Sequence, residues 1–105
     1  MSTTTISGQE VHVDDEGFMT EYDEWNEDLA KELASNIGIE ELQDEHWKVI
    51  EFLRSDYKEQ GETATLRRVT AVGGIPTKSL FQLFPKKPAR KMSYVSGLPK
   101  PAGCI

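Results

Sequence analysis

A chain of 105 residues with 37% hydrophobic content supports one small domain with a modest core. No stretch approaches the roughly 18 apolar residues of a membrane-spanning helix, and Met1-Ser2-Thr3-Thr4-Thr5-Ile6 has neither the basic region nor the apolar core of a secretory signal. A single cysteine excludes an internal disulfide, so the expectation is one domain over 1–105 in a reducing cytoplasm.

The net charge of −6 hides an asymmetry. Residues 1–60 hold 17 acids and four bases, whereas residues 61–105 hold eight bases and one acid. The basic half suits an acidic protein surface or nucleic acid, and it equally suits attraction between the two halves within one fold.

Along the chain, Ile6 to Val13 alternates in part, with Val11 and Val13 on one face and His12 on the other. Gly8 supplies a turn, so this stretch reads as a short β-hairpin, and the residues before it are expected to fray. His12 has no second ligand at a suitable spacing and reads as exposed. Asp14-Asp15-Glu16-Gly17 turns the chain toward Phe18. Asp23 or Asn26 then caps a helix over Trp25 to Ser35, whose stripe is Leu29, Ala30, Leu33 and Ala34 and whose stop is Asn36-Ile37-Gly38.

Asp44 is the expected cap of the clearest helix, in which Trp47, Ile50, Leu53, Arg54 and Tyr57 recur at helical spacing and Gly61 is the stop. His46, in its first turn, lacks a His-Glu-x-x-His partner, so a structural or solvent-facing role is expected and no metal site. Thr63 to Val72 reads as a short helix ended by Gly73-Gly74, and Lys78 to Phe84 as another, closed by Pro85. The pair has the outline of a helix-turn-helix. Lys86 to Ser96 reads as a last helix with Pro88 in its first turn, docked by Met92 and Val95, with Lys86, Lys87, Arg90 and Lys91 solvated. The expected fold class is α+β, mainly helical: a small N-terminal β-hairpin, a helical bundle containing the helix-turn-helix-like pair, and a mobile C-terminal arm.

That arm is Gly97-Leu98-Pro99-Lys100-Pro101-Ala102-Gly103-Cys104-Ile105. Two prolines and two glycines in nine residues rule out a stable helix. Pro99 and Pro101 favour extended backbone, and Gly97 and Gly103 read as soft joints at either end. The seven steps from Gly97 to Cys104 span roughly 23–25 Å at full extension. The segment reads as a thiol on a semi-rigid arm, shaped to enter a cleft on another protein.

This ending resembles that of the DsrC/TusE family, which comprises the gamma subunit of dissimilatory sulfite reductase and the tRNA 2-thiouridine synthesis protein E. Asp15-Glu16-Gly17-Phe18, Trp25, Glu45-His46-Trp47, Phe52-Leu53-Arg54, Leu83-Phe84-Pro85 and Pro88-Ala89 are similar to family landmarks in the expected order. The resemblance runs from about Gly8 to Ile105. It implies that Cys104 carries sulfur between protein partners, an upstream donor and a downstream acceptor of thiouridylase or sulfite reductase type. Members serving sulfite reduction or sulfur oxidation hold a second cysteine eleven positions before the penultimate one, where this chain has Ser93. The single-thiol pattern is similar to the tRNA-thiolation branch, although Val72 to Ser79 is shorter than that branch implies.

The residues themselves support a carrier better than an independent enzyme. No Cys-His pair or Ser-His-acid set is placed by the sequence, and a mobile arm cannot hold an active site rigid. No cofactor is expected. The terminal carboxylate opposes ionisation of Cys104, while Lys100 favours it and is expected to steer docking. A basic partner surface is expected from Arg67, Arg68, Lys86, Lys87, Arg90 and Lys91. The competing reading is a DNA-binding regulator built on the helix pair, with phosphate contacts from these residues. Few side chains between Lys78 and Phe84 can read base edges, so any contact with nucleic acid is expected to be indirect.

Overall fold

A computed structural model describes residues 2–101. The N-terminal hairpin pairs β1 (Ser2–Ile6) with β2 (Gln9–Val13) in antiparallel register, from Ser2 opposite Val13 to Ile6 opposite Gln9. Its two-residue turn is Ser7-Gly8, both at positive φ (53° and 78°), the handedness that suits a tight hairpin. The first strand thus occupies residues expected to fray. Its threonines are β-branched and suit a pleated strand, even though only Ile6 is buried.

A 3-10 turn at Tyr22–Glu24 leads into α1 (Glu27–Asn36). Asn26 is the cap: its Oδ1 accepts the amide of Leu29 at 2.9 Å. Buried Leu29, Ala30, Leu33 and Ala34 form the predicted stripe. Leu29 and Leu33 close a small core with Ile6, Val11, Val13 and Met19 beneath the hairpin.

The long helix α2 (Asp44–Gln60) starts one residue earlier than expected, with Gln43 rather than Asp44 as its cap. His46 is the reason. Its Nδ1 accepts the Gln43 amide at 2.9 Å, so the proton sits on Nε2, which donates to the Leu83 carbonyl at 2.9 Å. This buried ring ties the start of α2 to Leu83, far along the chain, and is structural.

The short helices α3 (Leu66–Ala71) and α4 (Thr77–Leu83) form the predicted pair. α3 starts at Leu66 rather than Thr63 because Thr65 is its cap, accepting the Arg68 amide at 3.2 Å. Last comes α5 (Pro88–Val95). Lys86 and Lys87 stand outside it, in left-handed backbone at φ 59° and 50°, because Pro88 fixes the first helical position. The larger core gathers residues from α1 to α5, and Leu98 joins it from beyond α5. No helix among the described residues is long and apolar enough to cross a membrane.

Candidate functional site

The segment leaving α5 is held from several sides. The Leu98 amide donates to the Ser93 carbonyl at 3.1 Å, and the Gly97 amide to the Tyr94 carbonyl at 3.2 Å. With Gly97 at φ +69°, these two bonds make a Schellman cap, and Leu98, fully buried, supplies its apolar contact. Gly97 is therefore a packed stop and not a soft joint. A Cβ there would fall 2.3 Å from Trp25 Cδ1.

The carbonyls at the end of α5 have dedicated donors. Trp25 Nε1 donates to the Val95 carbonyl at 2.9 Å, and Arg54 Nη1 to the Ser96 carbonyl at 2.9 Å. Arg54 Nη2 also donates to the Tyr22 carbonyl, and its guanidinium lies 3.9 Å from the Tyr22 ring centre and 4.2 Å from that of Trp25. Desolvation by burial pushes the Arg54 pKa down from its ordinary value, with Tyr22 and Asp23 opposing. The helical stripe placed Arg54 on the buried face of α2. Its task, satisfying exposed helix-end carbonyls, has no signature in spacing.

Further out, Thr63 Oγ1 donates to the Pro99 carbonyl at 2.7 Å. Lys100 Nζ lies 2.8 Å from Glu16 Oε2, and Pro101 is buried. Of the arm expected to be mobile over 97–105, residues 97–101 belong to the folded domain. Gly103 and Cys104 lie outside the described residues.

Of the six residues expected to form a basic surface, Arg68 is turned inward. Its Nε and Nη2 make a two-pronged contact with Asp56 at 2.8 and 2.7 Å. Arg90 Nη2 meets Glu16 Oε1 at 3.1 Å, and Lys91 Nζ donates to the Pro85 carbonyl. Arg67, Lys86 and Lys87 are exposed. The structure thus assigns Arg68 and Arg90 to attraction between the acidic and basic halves of the chain. Lys100 is engaged in the same way, and its hydrogen bond, the largest effect, together with its charge and the hydrogen bond and charge of Arg90, holds the Glu16 carboxyl below its ordinary range against the opposing effect of desolvation. Ser93 is fully buried, and its hydroxyl donates to the Ala89 carbonyl at 2.8 Å.

Residues 5–105 match the family model described as DsrC like protein. The chain is 31% identical over 105 residues to the dissimilatory-type sulfite reductase subunit gamma of Nitratidesulfovibrio vulgaris, a match covering all of both chains. It is 37% identical over 107 residues to the sulfurtransferase TusE of Salmonella typhimurium, covering 95% of this chain and 97% of the relative. The crystal structure of dissimilatory sulfite reductase I contains a chain similar in fold, with a TM-score of 0.86 at 31% identity, covering 99% of this chain and 100% of that one. The solution structure of the Pyrobaculum aerophilum DsrC/gamma subunit is similar with a TM-score of 0.80 at 33% identity, covering 99% and 95%. Agreement of sequence and fold over nearly the full length makes this chain a member of the DsrC/TusE family.

Proposed function

We propose that the protein is a sulfur-relay carrier that holds sulfane sulfur as a persulfide on Cys104. The observation that carries this reading is the position of its single thiol, three residues past a segment anchored to the domain. With Pro101 held, the three remaining steps let the thiol reach roughly 10 Å, less than half the span available from Gly97. A carrier of this reach must bring its own body to the partner. The thiolate of Cys104 attacks the outer sulfur of a donor persulfide. The donor's S–S bond breaks, its thiolate leaves, and a new S–S bond forms on Cys104 with no net oxidation.

The single thiol favours delivery toward tRNA 2-thiouridine synthesis. Ser93 cannot form a disulfide with Cys104, so sulfur is discharged to an external acceptor. The partners of this reading are an upstream sulfur donor and a downstream thiouridylase in the cytoplasm, where the lone thiol stays reduced. Contact with nucleic acid is indirect. One observation favours a second reading, a divergent partner of dissimilatory sulfite reductase or sulfur-oxidation enzymes. The match to the gamma subunit spans 105 residues of both chains, whereas the match to TusE is 107 positions long against 95% of this chain. TusE therefore carries extra residues inside the match.

Incubation with a cysteine desulfurase system and cysteine, followed by intact-mass measurement, tests the carrier. The wild type should gain the mass of one or more sulfur atoms, removable by reductant. Equal uptake by Cys104→Ser would overturn the reading. Transfer from the loaded protein to a thiouridylase, in preference to sulfite reductase, decides between the two destinations.

A further inference from the structure

We infer that the groove between α2 and the stretch from Tyr22 to Glu27 is a docking site for a partner protein's segment that presents one arginine between apolar side chains. That this partner is a sulfur donor or acceptor rests on the carrier reading; the chemistry of the groove does not.

Trp47, Ile50, Glu51, Arg54 and Lys58 fall at i, i+3, i+4, i+7 and i+11, so they share one face of α2. That face is one wall of a groove of about 410 Å³, and Tyr22, Trp25 and Glu27 stand on the other. From Trp47 to Lys58 the wall runs roughly 16 Å, the length of about five extended residues. Both tryptophans of the chain line it, and each is only partly buried. The far wall is already fixed. Trp25 is held by its bond to the Val95 carbonyl, and Tyr22 stacks on Tyr57 with ring centres 5.7 Å apart. The Tyr22 hydroxyl also donates to the Arg54 carbonyl at 3.1 Å. An occupant therefore has little of this wall left to order.

The charges of the groove choose its occupant. Glu27 and Glu51 are exposed, and among the described residues neither takes part in an ion pair. Arg54 is engaged elsewhere, its two terminal nitrogens donating to the carbonyls of Ser96 and Tyr22. Its guanidinium lies over the Tyr22 and Trp25 rings, whereas among the described residues no cation lies over Trp47. An incoming cation thus meets a partly exposed indole with Glu51 one turn along α2 and Glu27 on the opposite wall. Arginine fits this better than lysine: its planar, weakly hydrated cation stacks on an aromatic face while its fork meets a carboxylate. Ile50 and the aromatic rings suit apolar neighbours on either side of it. Lys58, at the far end of the wall, repels a second cation, so a single arginine is preferred over a basic run.

The test titrates the full-length, reduced protein with a blocked pentapeptide that has arginine at its centre, leucine on either side and alanine at both ends. Tryptophan fluorescence and the two indole N–H signals report on the groove, because both tryptophans line it. Saturable changes are expected at about millimolar peptide, while the Arg67 and Lys78 amides stay still. Glutamine in place of the peptide's arginine should weaken binding about tenfold, and glutamate should abolish it. Trp47→Ala should weaken it by about tenfold or more. Trp47 also packs against the core, so Glu51→Lys, at an exposed position, serves as the second variant: a similar loss with unchanged melting. Glu27→Gln should weaken binding about two- to fivefold. No saturable change up to about 10 mM peptide, or equal binding of the arginine and glutamine peptides, would overturn the inference. Indole shifts that grow with protein concentration alone would make a second copy the occupant, and would overturn it as well. Sulfur uptake is read separately by mass, so a chain that binds the peptide and takes up no sulfur would fail the carrier reading alone.

Discussion

Two stretches from the basic half of the chain are built in opposite ways. From Met92 to Leu98 every residue except Tyr94 is buried, and the carbonyls of Val95 and Ser96 have donors from Trp25 and Arg54. The α3–α4 pair buries Val69 and Leu80 but leaves Val72 and Phe81 59% and 49% exposed. Packing is concentrated where the chain leaves α5, at the root of the segment that leads to the thiol. The helix pair resembles a DNA reader only in outline. Its helices are six and seven residues long, and Arg68, one of its cations, is committed to Asp56. The contrast shows that basic charge in this chain marks internal pairing as much as an outward surface.

The largest effects should come from breaking the root of the segment. Leu98→Ala removes a fully buried side chain and should cost about 2–5 kcal/mol. Gly97→Ala combines positive φ with a Cβ driven into Trp25, so the Schellman cap must shift. Phe81→Ser, on the exposed pair, should change stability by no more than about 0.5 kcal/mol. Urea unfolding of the three variants checks the contrast; comparable losses at Phe81 and Leu98 would abolish it.

Arg68→Ala sharpens the comparison from within the helix pair. It leaves the Asp56 carboxylate, whose side chain is 4% exposed, without its two-pronged partner. A buried charge without a partner is costly. Melting should fall by several degrees, whereas Lys86→Ala and Lys87→Ala, at exposed positions, should barely move it. If all three variants melt alike, the Arg68–Asp56 contact contributes nothing to the fold.

Periodicity and stop signals made most of this fold legible. The α1 stripe, the Gly61 stop and the Pro88 start are local patterns, written in neighbouring residues. The misses are long-range. His46 caps α2 while bonding Leu83, and Arg54 serves the end of α5; both ties join residues far apart in the chain. Gly97 shows the limit most clearly. A glycine after a helix signals a Schellman cap or a loose hinge alike, and only Trp25 packed against it decides between them. At the candidate site, the thiol and its family frame could be read directly from the sequence. The docking of residues 97–101 depends on Thr63 and Glu16, which local spacing does not connect to them.

The smallest expected effect lies toward the other end of the chain, where the hairpin is tied down by charge. Glu24 accepts the His12 backbone amide and faces the ring Nδ1, each at 2.8 Å. The hydrogen bond to Glu24, followed by its charge, raises the His12 pKa above its ordinary 6.5, against a smaller opposing effect of burial. A raised histidine stabilises fully below pH 6.5 and loses that contribution as pH climbs through its folded value. Glu24 has the opposite sign: held below 4.5 first by the His12 amide and then by the ring, it loses its contribution as pH falls through its folded value. The tether is therefore fully formed between about pH 4.5 and 6.5, and it weakens on either side. On the alkaline side only the ring's share is lost, because the backbone amide keeps its bond to Glu24. Hydrogen exchange at Val11 should accordingly quicken modestly between pH 6 and 8, after correction for intrinsic exchange, as the His12 ring proton titrates by NMR. His12→Gln should flatten that dependence without opening the hairpin, since Ile6, Val11 and Val13 still close its core. A Val11 profile that stays pH-dependent in His12→Gln would place the titrating group elsewhere.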